Sequence, residues 1–383
     1  MRLIVQKFLI GLFSILLINN SVVKAQHETQ PVVVPANEIN EAEVMEAQNA
    51  GADIVNHDDV KKKFNAGEMI VEHITDAHDW HICDYAGKPI GFPLPIIIYS
   101  TTKGMQLFSS ARFEHGHASY EGYSLAKQKI VSQDANETFY DVSITKNVMA
   151  IFISIAVLLV VFLSTARAYT RRPNQAPKGI QSVVEPFIIF VRDEIAKPNI
   201  GPKYERYLPI LLTIFFFIWV NNLLGIIPIF PGGANVTGNI AVTLVLALIV
   251  FFITTLSANK DYWMHIFNTP GVPWWLKFPV PLMPVVELMG ALTKPVVLTL
   301  RLFANITAGH IIVLAFIGLI FIFGESNVGV GLGVSIASVA FAVFMDVMEL
   351  LVAFLQAYVF TLLSAIYFGS AVEEHHHAEE HAH

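Results

Sequence analysis

The stretch Glu287–His310, ELMGALTKPVVLTLRLFANITAGH, decides the fold, because it places charged side chains inside a long apolar run. Glu287, Lys294 and Arg301 recur at a spacing of seven residues, which is about two turns of an α-helix. From Leu302 to Gly324 there is no Asp, Glu, Lys or Arg. A charge at membrane depth costs about 3 kcal/mol or more and commonly marks an ion pathway. The stretch therefore predicts a membrane helix with a functional arginine, rather than an arginine that only reaches the headgroups.

The composition of the 383-residue chain is typical of a membrane protein, since 54% of the residues are hydrophobic and 14% are charged. The formal net charge of −7 argues against nucleic-acid binding. The single cysteine, Cys83, excludes an intrachain disulfide and a multi-cysteine metal site. We expect no cofactor, and we expect membrane lipid to be one of the partners.

The N-terminal part of the chain has the pattern of an exported segment. Residues 1–25 combine Arg2 and Lys7 near the start, a short apolar core and a small-residue end, which predicts a cleaved signal peptide and a mature N-terminus outside. Residues 26–66 are polar and are interpreted as a linker. Residues 67–146 contain PIIIYS, MQLFSSARF and YEGYSLAKQKI, which read as short strands. They predict a small exported β-rich or α+β module.

Two histidine-rich segments raise the question of a metal site. His73, His78 and His81 lie close together with two aspartates in HITDAHDWHI, and these residue types can bind zinc or copper. Along a strand they would point to both faces, so they could not converge on one ion without a turn. The tail at 373–383, EEHHHAEEHAH, is interpreted as solvated and cytoplasmic. We expect no metal at either place.

Residues 147–372 predict an all-α polytopic membrane domain with five membrane elements. The density of Lys and Arg between residues 167 and 206 indicates that this loop is inside. With the N-terminus outside, five elements leave the C-terminus inside. The last two elements are too long for a bilayer core of about 30 Å, so they must tilt or break. The predicted spans are 147–166, 207–230, 238–259, 281–323 and 326–372, with a surface helix at 180–197.

The last two elements predict an antiparallel hairpin that turns near Gly329–Gly333. One register then places Arg301 opposite Gln356 and His310 opposite Glu349. On an ideal helix His310 lies about 180° from Arg301. We therefore expect Arg301 to face a partner, and His310 to face the interior or a water-filled cavity.

At this point the sequence resembles subunit a of the F-type ATP synthase, over about residues 140–375. The resemblance rests on NNLLGIIP at 221–228, TKPVVLTLRLFANITAGH at 293–310 and LLVAFLQAYVFTLLSAIYF at 350–368. It implies that Arg301 is an essential arginine, with Asn305 as its polar neighbour and Gln356 as its glutamine partner. It also implies that Glu287 is an inner-side glutamate and that His310 and Glu349 form an outer carboxylate–histidine pair. Lys294 and Asp346 are further candidates, although Lys294 is also interpreted as an anchor near the headgroups.

The resemblance implies a proton-channel subunit that makes no bond chemistry of its own. Such a subunit provides two half-channels beside a rotating ring of subunit c, in a bacterial cell inner membrane. The subunit b stator and the remaining ATP synthase subunits are the other implied partners. The resemblance leaves open whether the coupling ion is H⁺ or Na⁺.

Two other classes of protein fit parts of the pattern. In a self-contained ion-coupled secondary transporter, Arg301 would bind an anionic substrate, but no inverted repeat or second broken helix is evident. In a membrane hydrolase or metalloenzyme, His310 and Glu349 would supply only two ligands, and no HExxH or GxSxG motif occurs at a membrane face.

Overall fold

The computed structural model describes residues 65–373, apart from 86–87, 117, 127, 135–136, 174, 228–230, 268–281 and 327. The predicted signal peptide at 1–25, nearly all of the linker and the histidine-rich tail lie outside the described residues. Two parts follow one another along the described chain. The first is a module of short strands, and the second is a bundle of long apolar helices.

The module is α+β, as predicted. One helix precedes three small antiparallel sheets with the strand orders β1-β2, β4-β3-β8 and β5-β6-β7. Its core is formed by five buried hydrophobic residues, Ile96, Ile98, Phe113, Tyr123 and Ile130. The elements are α1 (Ala66–Ile74), β1 (Asp79–Tyr85), β2 (Lys88–Pro93), β3 (Pro95–Ser100), β4 (Gly104–Ser109), β5 (Ser119–Tyr120), β6 (Tyr123–Ala126), β7 (Lys129–Ser132) and β8 (Phe139–Asp141).

The strand boundaries inside the module differ from the prediction in two places, and the histidine-rich segment before them contains a helix end and a strand start. MQLFSSARF is a strand only to Ser109, because a 3-10 helix at Ser110–Gly116 then turns Phe113 into the core. YEGYSLAKQKI folds as paired strands, since a turn that includes Gln128 at φ 64° reverses the chain between β6 and β7. HITDAHDWHI is not one strand, because α1 ends at Ile74 and β1 begins at Asp79.

The described part of the chain has five helical stretches that are long and apolar enough to cross a membrane, which confirms the predicted number. The second of them, Ile180–Ile226, joins the predicted surface helix to the next span through a π-helical turn at Val191–Ala196. The helices are α2 (Lys146–Arg171), α3 (Ile180–Phe190), α4 (Lys197–Ile200), α5 (Tyr204–Ile226), α6 (Ile240–Ser257), α7 (Lys260–Phe267), α8 (Leu282–Ser326) and α9 (Val328–Val372).

The last two helices form the predicted hairpin, but its turn comes earlier than expected. α8 ends at Ser326 and α9 begins at Val328, so the glycines at 329, 331 and 333 lie inside the first turns of α9. A Cβ on Gly331 would lie 2.7 Å from the Cα of Gly324. The absence of a side chain at Gly331 therefore lets the two backbones pack closely, which explains why small residues collect there.

The bundle core lies around α5, whose side chains are buried on nearly all sides. Phe187 and Phe190 of α3 pack against Phe215 of α5 and Phe354 of α9. Val191 and Ile195 have no exposed surface, so the segment predicted as a surface helix buries part of its apolar face in the bundle. The long helices α8 and α9, by contrast, expose many large hydrophobic residues.

The module packs directly against one end of the bundle, called here the module end. The Asp76 carboxylate accepts a hydrogen bond from the Asn147 amide at 3.0 Å, and the Lys146 amide donates to the Ala77 carbonyl at 2.8 Å. Trp80 is buried within the same cluster as the bundle core. Helix α1 contacts α8 at Gly318, where an added Cβ would lie 3.1 Å from the Ala66 side chain. The module is thus in contact with the hairpin as well as with the start of α2.

Candidate functional site

Arg301 lies on an exposed row of α8. Val297, Arg301, Asn305 and Ile312 project within about 80° of one another on an α-helix, and all four are exposed. The described residues give Arg301 no hydrogen bond or ion pair. The opposite side of the same helix faces the bundle, since Thr299 and Ile306 are 4% and 3% exposed. A permanent cation therefore lies on an apolar surface that points away from the bundle, as the sequence predicted.

His310 and Glu349 meet across the hairpin. The His310 Nδ1 atom lies 2.7 Å from the Glu349 Oε1 atom, and the two side chains are 17% and 5% exposed. An added Cβ on Gly309 would lie 3.2 Å from the Glu349 carboxylate, so glycine leaves room for the carboxylate at this crossing. The predicted register is confirmed at this pair. A titratable acid and a titratable base are thus in contact within the long hairpin.

Uncharged polar groups from a third helix and a loop lie near this pair. An added Cβ on Gly225 at the end of α5 would lie 3.6 Å from the His310 Nε2 atom. The Asn222 side chain donates to the Ala353 carbonyl of α9 at 3.1 Å and accepts from the Thr237 hydroxyl at 2.6 Å. The segment 231–239 is therefore tied to the site through Thr237. Asn222 and Thr237 are not among the site residues predicted from the sequence.

Buried amide groups without partners lie near the same loop. Among the described residues, the Asn221 Oδ1 and Asn235 Nδ2 atoms are buried and have no hydrogen-bond partner. Both side chains are at most 7% exposed. Buried polar atoms in proteins are commonly satisfied by internal water. This loop therefore offers polar contacts for water beside His310.

Gln356 and Asp346 occupy contrasting positions on α9. Gln356 is buried at 6% exposure, whereas Asp346 is exposed. Arg301 is exposed on the neighbouring helix, and a direct contact between Arg301 and Gln356 stays a prediction. Glu349 and Gln356 are thus both buried polar residues of α9, whereas Asp346 lies on the exposed side of this helix.

Glu287 and Lys294 line a cavity of about 230 Å³ at the end of the bundle opposite the module. The Lys294 ammonium lies 5.0 Å from the ring centre of Tyr367 and 5.9 Å from that of Tyr262. Cation–π contacts of this kind hold an ammonium group in place without neutralising it. Asp261 and Glu373 also line the cavity, which is therefore rich in carboxylates. Sequence reasoning found Glu287 and Lys294 but missed both tyrosines and Asp261.

The histidines of the module have structural partners. His78 contacts the Asp141 carboxylate at 3.0 Å through Nε2 and the Gln128 carbonyl at 3.0 Å through Nδ1. Burial lowers the pKa of His78, but the bond to Asp141 and its charge outweigh burial, so the pKa is raised. His73 contacts the Met69 carbonyl within α1. The described residues contain no group of three metal-ligating side chains.

Comparison with known proteins connects this geometry to a family. A family model described as ATP synthase A chain matches residues 148–369. The chain is 47% identical to ATP synthase subunit a 2 of Chlorobaculum tepidum, over 63% of this chain and 66% of that protein. It is 43% identical to ATP synthase subunit a of Chloroherpeton thalassium, over 63% of this chain and 70% of that protein. The chain thus spans about two thirds of the length of these relatives.

A second family model matches the strand-bearing part of the chain. It is described as a domain of unknown function (DUF8433) and covers residues 69–151. Those residues include all eight strands and the first turn of α2. The match therefore ends where the membrane bundle begins.

Proposed function

Since the chain belongs to the ATP synthase A chain family, we propose that its hairpin forms two proton half-channels, separated by Arg301, beside a ring of subunit c. The observation that carries this proposal is the opposite placement of two polar groups on one helix. Arg301 is exposed on the outer row of α8, while His310 contacts the buried Glu349 inside the hairpin. One helix therefore presents a fixed cation to a neighbour and a titratable pair to the bundle.

The entry half-channel is proposed at the module end, around His310, Glu349 and Asn305. The His310–Glu349 contact places an imidazole beside a carboxylate, and we propose that a proton passes between these two groups. Asn222 and Thr237 supply further polar atoms beside it. A proton that leaves this pair on the side of Asn305 reaches the exposed row that carries Arg301.

The exit half-channel is proposed at the cavity that Glu287 and Lys294 line. A carboxylate at the mouth of a cavity accepts protons from a ring group and delivers them to water. The aromatic contacts of Lys294 keep its ammonium against Tyr367 and Tyr262. This geometry supports a role for Lys294 in placing charge at the exit, rather than only as a headgroup anchor.

Arg301 works by stabilising the ionised carboxylate of a ring subunit, which lowers that carboxylate's pKa and promotes proton release. A protonated carboxylate carries no charge, so it can then rotate into lipid without the penalty for burying a charge. The fixed charge of Arg301 also opposes direct proton passage between the half-channels. Each proton that crosses the membrane potential provides about 2.3 kcal/mol per 100 mV for rotation.

We place the protein in the bacterial inner membrane, with the module outside and the C-terminus in the cytoplasm. The basic residues between 167 and 206 support this orientation, since they lie at the end of the bundle opposite the module. The subunit b stator and the other ATP synthase subunits complete the assembly. The protein moves protons and makes no covalent bond of its own.

Photocrosslinking tests which face of the hairpin meets the ring. A benzophenone amino acid at Val297, which is 45% exposed on the Arg301 row, is expected to form adducts with subunit c in the assembled complex. The matched control is Leu256 on α6, which is 84% exposed on another helix and should give none. Adducts with subunit c from position 256 but not from position 297 would contradict the proposed face.

A further inference from the structure

A second cavity lies at the end of the bundle opposite the module, and the proton path described above does not use it. Its volume is about 340 Å³, and it is bounded by the start of α5, the end of α6 and the end of α9. A water molecule occupies about 30 Å³ in the liquid, so this space is large enough for a phosphate group and part of a glycerol backbone. It is lined by Lys203, Arg206, Tyr207, Ser257 and Asn259, together with Glu205.

The charge of the cavity favours an anion. Lys203 and Arg206 contribute two positive charges against the single carboxylate of Glu205. The Arg206 guanidinium lies 5.8 Å from the ring centre of Tyr207, which keeps it at the cavity wall. Arginine binds phosphate through a planar fork of donors, whereas lysine acts as a point charge. The pair therefore combines directional and long-range attraction for a phosphate group.

The hydroxyl of Tyr207 gives an independent indication of a ligand. Tyr207 is 2% exposed, and its hydroxyl is buried without a hydrogen-bond partner among the described residues. Its ring is stacked on Phe368 with the centroids 5.1 Å apart, so packing fixes its direction. A buried hydroxyl without a hydrogen-bond partner is energetically costly. A phosphate oxygen in the cavity that this side chain lines would remove that cost.

Two backbone carbonyls at the end of α9 already accept hydrogen bonds from Asn259, so a ligand in the cavity would be bound by side chains. The Asn259 amide donates to the Ala371 carbonyl at 2.9 Å, and its side-chain nitrogen donates to the Val372 carbonyl at 3.1 Å. The partial negative charge of this helix end is thus partly balanced by Asn259. Leu256 directly precedes Ser257, and Phe252 lies one turn earlier on the same row of α6; they are 84% and 56% exposed and offer an apolar surface for acyl chains.

We propose that this cavity binds the phosphate of an anionic phospholipid, with Arg206 and Lys203 holding the charge and Tyr207 donating to a phosphate oxygen. The basic lining and the adjacent apolar row favour a lipid over a free anion, because a free anion gains nothing from Phe252 and Leu256. The site is separate from Arg301 and from the His310–Glu349 pair. It connects three helix ends that hold the bundle together.

Photolabelling of the assembled ATP synthase complex tests the site. The complex is reconstituted in phosphatidylcholine nanodiscs with a small fraction of phosphatidylglycerol that carries a diazirine near the headgroup, and the labelled peptides are identified by mass spectrometry. Label is expected on the peptides that contain Lys203–Tyr207 and Ser257–Asn259. Excess unlabelled phosphatidylglycerol should remove it. Equal labelling by a phosphatidylcholine probe of the same design would overturn the proposal.

Two competitors and three variants make the result specific. Tyr207→Phe keeps the stacked ring and removes only the hydroxyl, and it should weaken labelling about tenfold, as expected for a lost hydrogen bond to a charged group. Arg206→Gln should weaken it at least as much, while Arg172→Gln, an exposed cation outside the cavity, should leave it unchanged. Unchanged labelling in both Tyr207→Phe and Arg206→Gln would overturn the proposal. Displacement by inorganic phosphate as effective as by phosphatidylglycerol would overturn the lipid assignment and leave a free-phosphate site.

Discussion

The His310 Nδ1 atom and the Glu349 Oε1 atom lie 2.7 Å apart and belong to two long helices, α8 and α9, that follow one another in the chain. The pair is a base and an acid in contact, and each can hold the proton that the other releases. In the proposed path, neither side chain can be removed without breaking the entry half-channel. The first prediction therefore concerns substitutions of His310 and Glu349.

His310→Ala and Glu349→Gln are each expected to slow ATP-driven proton pumping by about 10²-fold, which is typical of losing one positioned proton-transfer group. The doubly substituted His310→Glu, Glu349→His chain should recover much of this loss, since it restores an acid beside a base. Quenching of a pH-sensitive dye by inverted membrane vesicles measures the rates. A double variant no better than either single variant would show that the two residues do not act as a pair.

A substitution at Gly309 tests the geometry without touching a titratable group. Gly309→Ala places a methyl group 3.2 Å from the Glu349 carboxylate, which is buried and has little room to move. Slower pumping with normal assembly is therefore expected. Gly290→Ala is the matched control on the same helix, because an added Cβ there meets nothing within 4 Å. Equal effects of the two substitutions would indicate that helix propensity, and not the contact, controls the rate.

Disulfide formation tests the register of the hairpin. Cysteines at positions 310 and 349, in a chain with Cys83→Ser, are expected to crosslink on oxidation, because a disulfide requires Cα atoms within about 7 Å. The pair 310 and 356 is the control, two helical turns away, and it should stay unlinked. Efficient linkage of 310 to 356 instead of 349 would reject the register that joins α8 to α9.

The His78–Asp141 pair makes the stability of the module depend on pH. Burial lowers the pKa of His78, but Asp141 outweighs burial, so the pKa is raised above its ordinary value of 6.5. The contribution of His78 to the stability of the folded module is therefore complete below pH 6.5. It is lost as the pH rises through the raised pKa of the folded state. Burial raises the pKa of Asp141, but His78 outweighs burial and lowers it below the ordinary 3.8. That contribution is present above pH 3.8 and is lost as pH falls through the folded pKa. The pair is therefore most stabilising between pH 3.8 and 6.5, by about 1.4 kcal/mol per unit of pKa shift.

Hydrogen exchange in the assembled complex measures this effect. After correction for intrinsic exchange, protection of β3 and β8 is expected to fall as the pH rises from 6 to 8.5 in the unmodified chain. His78→Gln should show a flatter dependence over the same range. A steeper fall in His78→Gln would assign the pH dependence to another group.

The sequence predicted the bundle well because charge and length carry strong signals in membrane segments. The charged and titratable residues at 287, 301, 310 and 349 stand out from their apolar neighbours, and their spacing determines the hairpin register. Asn222, Thr237 and Tyr367 were missed, since uncharged polar and aromatic residues are common in apolar helices and only tertiary packing gives them partners. The turn was placed too late because the glycines near 331 serve close helix packing rather than chain reversal. The 3-10 turn that buries Phe113 depends on the sheet packed against it, which no local pattern reveals.

In the proposed mechanism, Arg301 couples proton flow to rotation from the boundary between two half-channels. ATP synthesis driven by an imposed pH gradient, in proteoliposomes with the assembled Arg301→Ala complex, tests it most directly. Arg172→Ala, an exposed arginine outside the hairpin, is the control and should synthesise ATP at the unmodified rate. We expect no ATP synthesis in Arg301→Ala despite normal assembly, and only partial recovery in Arg301→Lys, since an ammonium lacks the guanidinium fork. ATP synthesis near the unmodified rate in Arg301→Ala would contradict this mechanism.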